Sequence, residues 1–597
     1  MRKVLAVLCL VPMLTGARER GPLLAYALKS AERVAQSADD PERSNASSRD
    51  LFAASLIYLE AGGDVSRVKA MLEVAAKMQD RDETSKTYGN FRWNWNRPEI
   101  VDRNAVDFCM EGGSLIWLRH RDKLPAGIRE PLKKMLELGT EGCMRHRVGD
   151  SYTNIALMSA ANLVLLGEGL DNPKATEEGL KRLDAAVKYT LANGTHEYDS
   201  PTYYGVDLDV LGVLEAQCKS DAACAQAKRL LDLFWTDIAA SYFPGGKKLT
   251  GPNSRTYDYL RGLGNLDNHL WYNGWIDGPP VGSFGIIWPL LGRYEPGESI
   301  RKISDRVPRL VRQSWGSDKQ HARTLYVLND IALGSSAACY GGWMDMPLTV
   351  DFPGPRESVR GYYIPDGRGD PYGKLKIMEK SGHEKALHLN NFFTSAQSKT
   401  DALALAVYRE KDYPDDYKSL QTHWVMPRDV DQIIVNGKAI THNQKQWQVV
   451  VPAGAPVIFR KGSAAVAVCF PWSRDCAGKP ATLQLIDDGN SYGAVRLTLD
   501  HHVSADQPAA PPAAIIAVSV GSGLNDASFA AWARAIEAQK CDVSAGAAAI
   551  RATVTTTNGV VTISAKAPFK VPTDLIPAPP RAVLEIDGVD VGKSILQ

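Results

Sequence analysis

The stretch from Asn193 to Asp209 concentrates groups that move protons. His196, Glu197 and Asp199 lie on a turn, and Ser200-Pro201 leads through Tyr203 and Tyr204 into a helix start. Loops at helix ends are where a rigid scaffold commonly holds reacting side chains. Three other polar clusters accompany this one. Between Gly89 and Asn104, Trp93 and Trp95 alternate with Asn94, Asn96 and Arg97, a spacing unlike a helix core stripe. Indole faces pack on sugar rings, while amides and a guanidinium meet hydroxyls or carboxylates. The same tryptophans equally suit the bracing of an inter-helix loop. Arg145 to Asn154 leads into an apolar helix. There Asp150 or Ser151 suits a helix cap, and Asn154 can pair with a carboxylate without adding charge. The last cluster runs from Gly251 through Asn253, Arg255 and Tyr257, then from Asn265 through His269 and Trp271 to Trp275. Candidate reacting groups are thus Asn154, His196, Tyr203, Tyr204 and Arg255; candidate substrate contacts are Trp93, Trp95, Arg97, Asn253, Tyr257, His269 and Trp271.

In order, Asn154, His196, Tyr203 or Tyr204, and Arg255 resemble the site of the family 8 polysaccharide lyases, and that resemblance implies removal of a proton beside a carboxylate. In a 4-linked uronate the C5 proton becomes acidic once the neighbouring carboxylate is neutralised. Asn154, helped by a cation or a second amide, can do this and stabilise the resulting anion. His196 or a tyrosine takes the proton, and tyrosine returns one to the departing O4. Unperturbed tyrosine titrates near about 10, so the base role requires a nearby positive charge, for which Arg255 is the candidate. Neighbouring residues at a helix start point about a quarter turn apart, so one of the two tyrosines faces a given cleft; Tyr204 is preferred over Tyr203. Two other readings use the same residues. A glycoside hydrolase needs two carboxylates roughly 5–10 Å apart, which Glu197 with Asp207, Asp209 or Asp258 would supply. A non-catalytic glycan-binding protein of the envelope needs only Trp93, Trp95 and Trp271.

The elements that must position these groups fall into two halves. From about Leu23 to Val311 the pattern is helical, with apolar positions recurring at three and four residues in Asp50–Glu60, Val65–Met78, Pro131–Met144, Asn154–Leu166, Ala175–Leu191, Tyr204–Ala216 and Ala222–Ala240. Consecutive helical hairpins of this kind suit an α/α toroid, with a generic helical array as the alternative. Beyond about Ser335 come short β-rich runs between turn signals such as Asn436-Gly437 and Asp488-Gly489. The expected fold class is α+β multidomain, an N-terminal (α/α) toroid over 18–335 followed by an antiparallel β-sandwich over 336–504. The proline-rich Ala505–Ala514 opens a C-terminal β region over 505–597, separate or continuous with the sandwich, with one helix near Ala527–Gln539. At the junction of the halves, Glu384, His388, Asn390 and Asn391 suit strand-edge hydrogen bonding or closure of a cleft.

Composition narrows the class. At 597 residues and 44% hydrophobic the chain is too large for one ordinary core and too apolar for disorder. Residues 1–17 read Met-Arg-Lys, a short apolar run and Thr15-Gly16-Ala17, a secretory signal cleaved near Ala17 with no lipobox around Cys9. Secretion or a periplasmic location without a membrane anchor is expected. A formal net charge of +1 gives no sign of nucleic acid as a partner. Without Cys9, eight of nine cysteines remain for an oxidising compartment; Cys218 with Cys224 and Cys469 with Cys476 are spaced for small disulfide loops. No cysteine spacing matches a zinc site.

Taken in order behind an aromatic patch, Asn154, His196, Tyr203 or Tyr204, and Arg255 resemble the site of the hyaluronate, chondroitin and xanthan lyases, polysaccharide lyase family 8. Heparinase II/III-like and alginate-lyase toroids, which share a His/Tyr pairing, are similar too. The resemblance implies a toroid with a following β-sandwich, β-elimination on a uronic-acid polysaccharide or oligosaccharide, and no metal or other cofactor.

Overall fold

The computed structural model describes residues 18–596 except 281–283, 315–321, 340–344, 379–383, 387, 388, 390, 410–417, 443–445, 503–509 and 571–582. The expected signal over 1–17, with Cys9, and the candidates His388 and Asn390 therefore lie outside the described residues. Glu384 belongs to a short strand, Glu384–Ala386, paired with Lys376–Met378.

The N-terminal half is helical: α1 (Arg20–Ser37), α2 (Pro41–Ser44), α3 (Ser48–Glu60), α4 (Val65–Lys77), α5 (Ala105–His120), α6 (Ala126–Arg145), α7 (Thr153–Gly169), α8 (Pro173–Asn193), α9 (Tyr203–Gln217), α10 (Asp221–Ser241), α11 (Leu266–Tyr272), α12 (Ile287–Gly292) and α13 (Glu298–Asp305). Burial sorts them into two layers. Helices α5, α7 and α9 are buried on nearly every face, whereas α4, α6 and α8 each bury one stripe and α10 buries a stripe at its start and every residue from Leu233 to Ser241. A helix that is apolar all round needs neighbours all round; one with a single stripe sits outside. The series α3, α5, α7, α9 and α12 packs each on the next, and α1 touches both α3 and α12, which closes the inner ring. This is the (α/α) toroid expected from periodicity.

The C-terminal half is antiparallel β. An eleven-stranded sheet runs, in spatial order, Trp447–Val450, Thr482–Asp487, Ala494–Asp500, Gln421–Pro427, Gly361–Asp366, Leu348–Asp351, Ala332–Ser336, Ala322–Val327, Arg309–Ser314, Leu584–Ile586 and Val589–Asp590. A seven-stranded sheet faces it, running Phe392–Ser398, Asp401–Val407, Ala513–Gly521, Ala464–Arg474, Val457–Lys461, Gln432–Val435 and Lys438–Ala439. Strand alternation explains the layering. Ala404 and Ala406 join Trp424, Val350 and Leu497 in the core between the two sheets. Leu403 and Leu405 point the other way, onto Ile550, Val561 and Ile563 of a third, three-stranded sheet. Helix α14 (Asp526–Ala538) covers another part of that face through Phe529 and Ala533.

One boundary differs from expectation, and one of the two C-terminal alternatives holds. The change from helix to strand comes at Arg309, well before 335. The strand Arg309–Ser314 reads as polar because its arginine is buried, donating to the carbonyls of Ala240, Ser304 and Arg306. Nor is the region after 505 separate: Ala513–Gly521 pairs with both Asp401–Val407 and Ala464–Arg474 in the middle of the second sheet. The disulfide expectation also divides. Cys218 and Cys224 are bonded, but Cys469 is not bridged and donates its thiol to the Gly454 carbonyl at 3.1 Å.

Where toroid and sheet meet, charge is sealed inside. Arg323, on a sheet strand, pairs with Asp199 and, at 3.4 Å, with Asp237 of α10, and donates to Ser241 at 3.0 Å. All three of Arg323, Asp199 and Asp237 are 1% exposed. A second knot joins Lys248, Arg360 and Thr250 to Asp351 at 2.9, 2.6 and 2.6 Å. The first anchors the turn carrying His196 and the second anchors the loop leading to Arg255.

Candidate active site

Inner helices α3, α5, α7 and α9 are each entered through a loop on the same end of the ring, so the loops before α7 and α9 and the Gly251–Tyr257 segment are neighbours there. Backbone and hydroxyl contacts stitch the last two together: Ser254 donates to the carbonyls of Tyr198 (3.1 Å) and His196 (3.4 Å), and the Ser200 hydroxyl donates to the Arg255 carbonyl at 3.3 Å. Gly205 lets the start of α11 sit on the first turn of α9, since a Cβ there would lie 2.3 Å from the Leu266 nitrogen. Arg255 and Asp199 both adopt left-handed backbone, with φ of 51° and 44°, a conformation that non-glycine residues hold only under tertiary constraint and that clusters at functional sites.

Arg255 is the centre of the group. Its guanidinium donates to the Tyr203 hydroxyl at 3.1 Å and lies over the rings of Tyr203 and Tyr152, 5.1 and 5.9 Å from their centroids. The Tyr203 and Tyr257 hydroxyls are 3.0 Å apart, with their rings edge-on. Tyr152, His196, Tyr203, Arg255 and Tyr257 are all half-buried, so this group keeps part of its surface within reach of solvent. Behind it lies Glu197, buried, its carboxylate accepting the Asn154 backbone N–H at 2.9 Å and standing 3.8 Å from Arg255 Nε. A carboxylate at the N-terminus of α7 is favoured by the free amides and dipole there. Glu197 therefore does the capping expected of Asp150 or Ser151; α7 has no side-chain cap of its own.

Burial and Arg255 set the protonation states. Desolvation lowers His196, and the guanidinium beside it lowers it further, so the imidazole is neutral near pH 7. Desolvation raises Glu197, against the pull of Arg255 and the Asn154 N–H. It also raises Tyr203 and Tyr257, again against Arg255, and pushes Tyr152 up to about 12.

The structure brings together Asn154, His196, Tyr203, Arg255 and Tyr257 of the expected set and separates the rest. Tyr204, preferred from sequence, is corrected: its buried hydroxyl donates to Asp237 at 2.6 Å and its ring stacks edge-on against Phe234 in the toroid core. Its neighbour Tyr203 takes the open side. Asn154 converges on the site but its side chain is only 1% exposed, with Oδ1 unbonded. Asn253 is a structural residue, bridging to Met346 through its backbone and donating to Thr256 Oγ1 at 2.6 Å. His269 is buried against Asp209 at 2.7 Å and desolvation lowers it to about 3. Trp271 packs edge-on against Tyr26, its carbonyl taken by Arg18. Trp93 packs against Phe108, and Trp95 lies under Arg92. Arg97 accepts from Arg92 at its carbonyl, and Asn96 ties the loop to Glu42. Bracing thus describes this loop better than a glycan platform. Asn391 is buried and donates to Tyr363 at 3.0 Å.

Of the carboxylates in the hydrolase reading, Glu197, Asp207 and Asp209 are buried, and Asp258 stands 3.9 Å from Arg261. Sequence reasoning passed over Tyr152 and Asn104. Asn104 donates to the Tyr152 hydroxyl at 3.0 Å, and the only signal was the place of Tyr152 two residues ahead of Asn154. Among the described residues no group of three or more histidine, cysteine or acidic side chains is arranged to hold a metal ion, and no helix is long and apolar enough to cross a membrane.

Comparison with known proteins adds little specificity. A family model described as "Domain of unknown function (DUF8769)" matches residues 29–263, which includes the whole of the candidate site. No curated protein matches the chain. Among solved structures the chain is similar to a chondroitinase AC lyase studied in oligosaccharide complexes, with 10% identity, coverage of 89% of each chain and a TM-score of 0.40.

Proposed function

We propose that this protein is a polysaccharide lyase that cleaves a uronic-acid glycan by β-elimination, with Tyr203 as the base and Arg255 as the cation that makes it one. The observation that carries the reading is the Arg255 guanidinium resting on the Tyr203 hydroxyl at 3.1 Å. A tyrosine raised by burial becomes a usable base only where a fixed cation stabilises its phenolate. In the proposed step the Tyr203 phenolate takes the C5 proton, the C4–O4 bond breaks as the C4=C5 double bond forms, and the Tyr203 proton passes to O4. Arg255 offsets the charge that grows on the substrate carboxylate, while Asn154 holds Glu197 behind it at the start of α7. His196, neutral and at the same mouth, is the second candidate base. The resemblance to family 8 lyases supports this assignment of roles. We propose in addition that residues 1–17 direct the protein to the periplasm or beyond, where its glycan would be met.

The test is incubation with a panel of uronate polysaccharides while following the ultraviolet absorbance of the unsaturated product. Absorbance that grows with new reducing ends is the expected result. New ends without absorbance would mean hydrolysis, and binding without cleavage would mean a glycan-binding protein.

A further inference from the structure

We propose that Tyr257 is a positioning residue whose hydroxyl, together with Arg255, holds the Tyr203 oxygen and stabilises the phenolate form that abstracts the proton. The inference rests on the elimination reading above but assigns Tyr257 a role other than touching the sugar. Three observations carry it. The Tyr257 and Tyr203 oxygens are 3.0 Å apart, and Arg255 Nη2 reaches the same Tyr203 oxygen at 3.1 Å, so one atom has two neighbours able to donate. Tyr257 follows Arg255 by two positions on one loop, where the left-handed backbone of Arg255 turns the chain. The edge-on ring contact at 6.0 Å fixes the approach of the two phenols.

The proton balance is simple. When Tyr203 is a phenolate, it accepts from Arg255 N–H and from Tyr257 O–H. When it has taken the C5 proton, its own O–H turns to O4, and Tyr257 keeps its proton throughout. Tyr257 is therefore neither consumed nor changed in the cycle. What it alters is the share of Tyr203 present as phenolate at a given pH. In the neutral pair a Tyr203 hydroxyl aimed at Tyr257 works against ionisation of Tyr203; once Tyr203 is ionised the bond reverses, and because a hydrogen bond to a charged group outweighs one to a neutral group the reversed bond favours the Tyr203 phenolate.

The test uses the full chain carrying Tyr257→Phe, which keeps the ring and removes the oxygen. The acid limb of the kcat/KM profile is expected to move up by about one pH unit, with kcat near neutrality down about tenfold and KM within about twofold of wild type. An unmoved acid limb overturns the proposal. A raised KM with the profile in place also overturns it, because Tyr257 would then be a substrate contact. A second measurement is independent of turnover. With 13C-labelled tyrosine, the Cζ signal lost in Tyr203→Phe identifies Tyr203, and its titration should shift to higher pH in Tyr257→Phe. If no uronate glycan yields unsaturated product, the elimination reading fails while this titration still decides the pairing; an unchanged midpoint would refute it.

Discussion

Arg255 is pinned by aromatic faces as much as by charge. Its guanidinium lies over two phenol rings, and the Glu197 carboxylate stands off at 3.8 Å. A loose ion pair leaves the positive charge available to the Tyr203 oxygen and to an incoming carboxylate, where a tight bidentate pair would have neutralised it. Tyr203→Phe is therefore expected to lower elimination by roughly a hundred- to ten-thousandfold with substrate binding kept, as read by product absorbance and by titration calorimetry. Tyr204→Phe should behave oppositely: activity close to wild type, but unfolding eased by about 1–3 kcal/mol, because Asp237 loses a buried donor. Chemical denaturation measures that loss. Which of the two tyrosines faces the mouth could not be read from their spacing. It is decided by Asp237 and Phe234, some thirty positions downstream, which draw Tyr204 into the core. His269 and Trp271 illustrate the same limit, since a polar residue in a toroid core looks like a site residue until its buried partner, here Asp209, is known. The order Asn154, His196, Tyr203 and Arg255, by contrast, was legible because each stands at the mouth of a loop between strongly periodic helices.

At the level of elements, the turn carrying His196 depends on a strand that belongs to the other half of the protein. Arg323 holds Asp199 and Asp237 together in a region with no access to water. Arg323→Ala would leave two carboxylates buried without a counter-charge, and a cost of about 3–5 kcal/mol is expected, measurable as a lower urea midpoint. Activity in the surviving folded fraction should fall too, since the Asp199 turn positions Glu197 and His196. Helical and strand segments emerged from periodicity because their packing is local in sequence. The helix-to-strand boundary did not, because Arg309 and Gln313 are polar residues made acceptable in a strand by partners in α10 and α13 and in the connections that follow them.

For the whole molecule, the interior of the ring is unusually acidic. Asp207 has both carboxylate oxygens buried without a hydrogen-bond partner, and Glu111 and Asp209 share the same interior. Desolvation comes first among the causes that raise Asp207, with Glu197 and Asp209 adding like charge. A carboxyl raised in the folded state favours folding most at pH below its unfolded value, and that contribution is lost as pH climbs toward the folded value. Wild-type stability should accordingly fall as pH rises above about 4, the unfolded carboxyl's value, and Asp207→Asn should flatten the decline. Melting curves across that range check the sign; an equal slope in the variant would show that Asp207 is not the group responsible.

The sheet that supports the site is also completed out of order. Its strand nearest the toroid, Arg309–Ser314, is covered by Leu584–Ile586, and Leu596 reaches back to bury itself in the helical core. During synthesis the toroid and most of the sandwich emerge before Leu584–Ile586, so until that strand follows, Arg309–Ser314 presents an unpaired edge. The late strand Leu584–Ile586 thus acts as a closing stitch on the sheet through which Arg309 and Arg323 tie the two halves together.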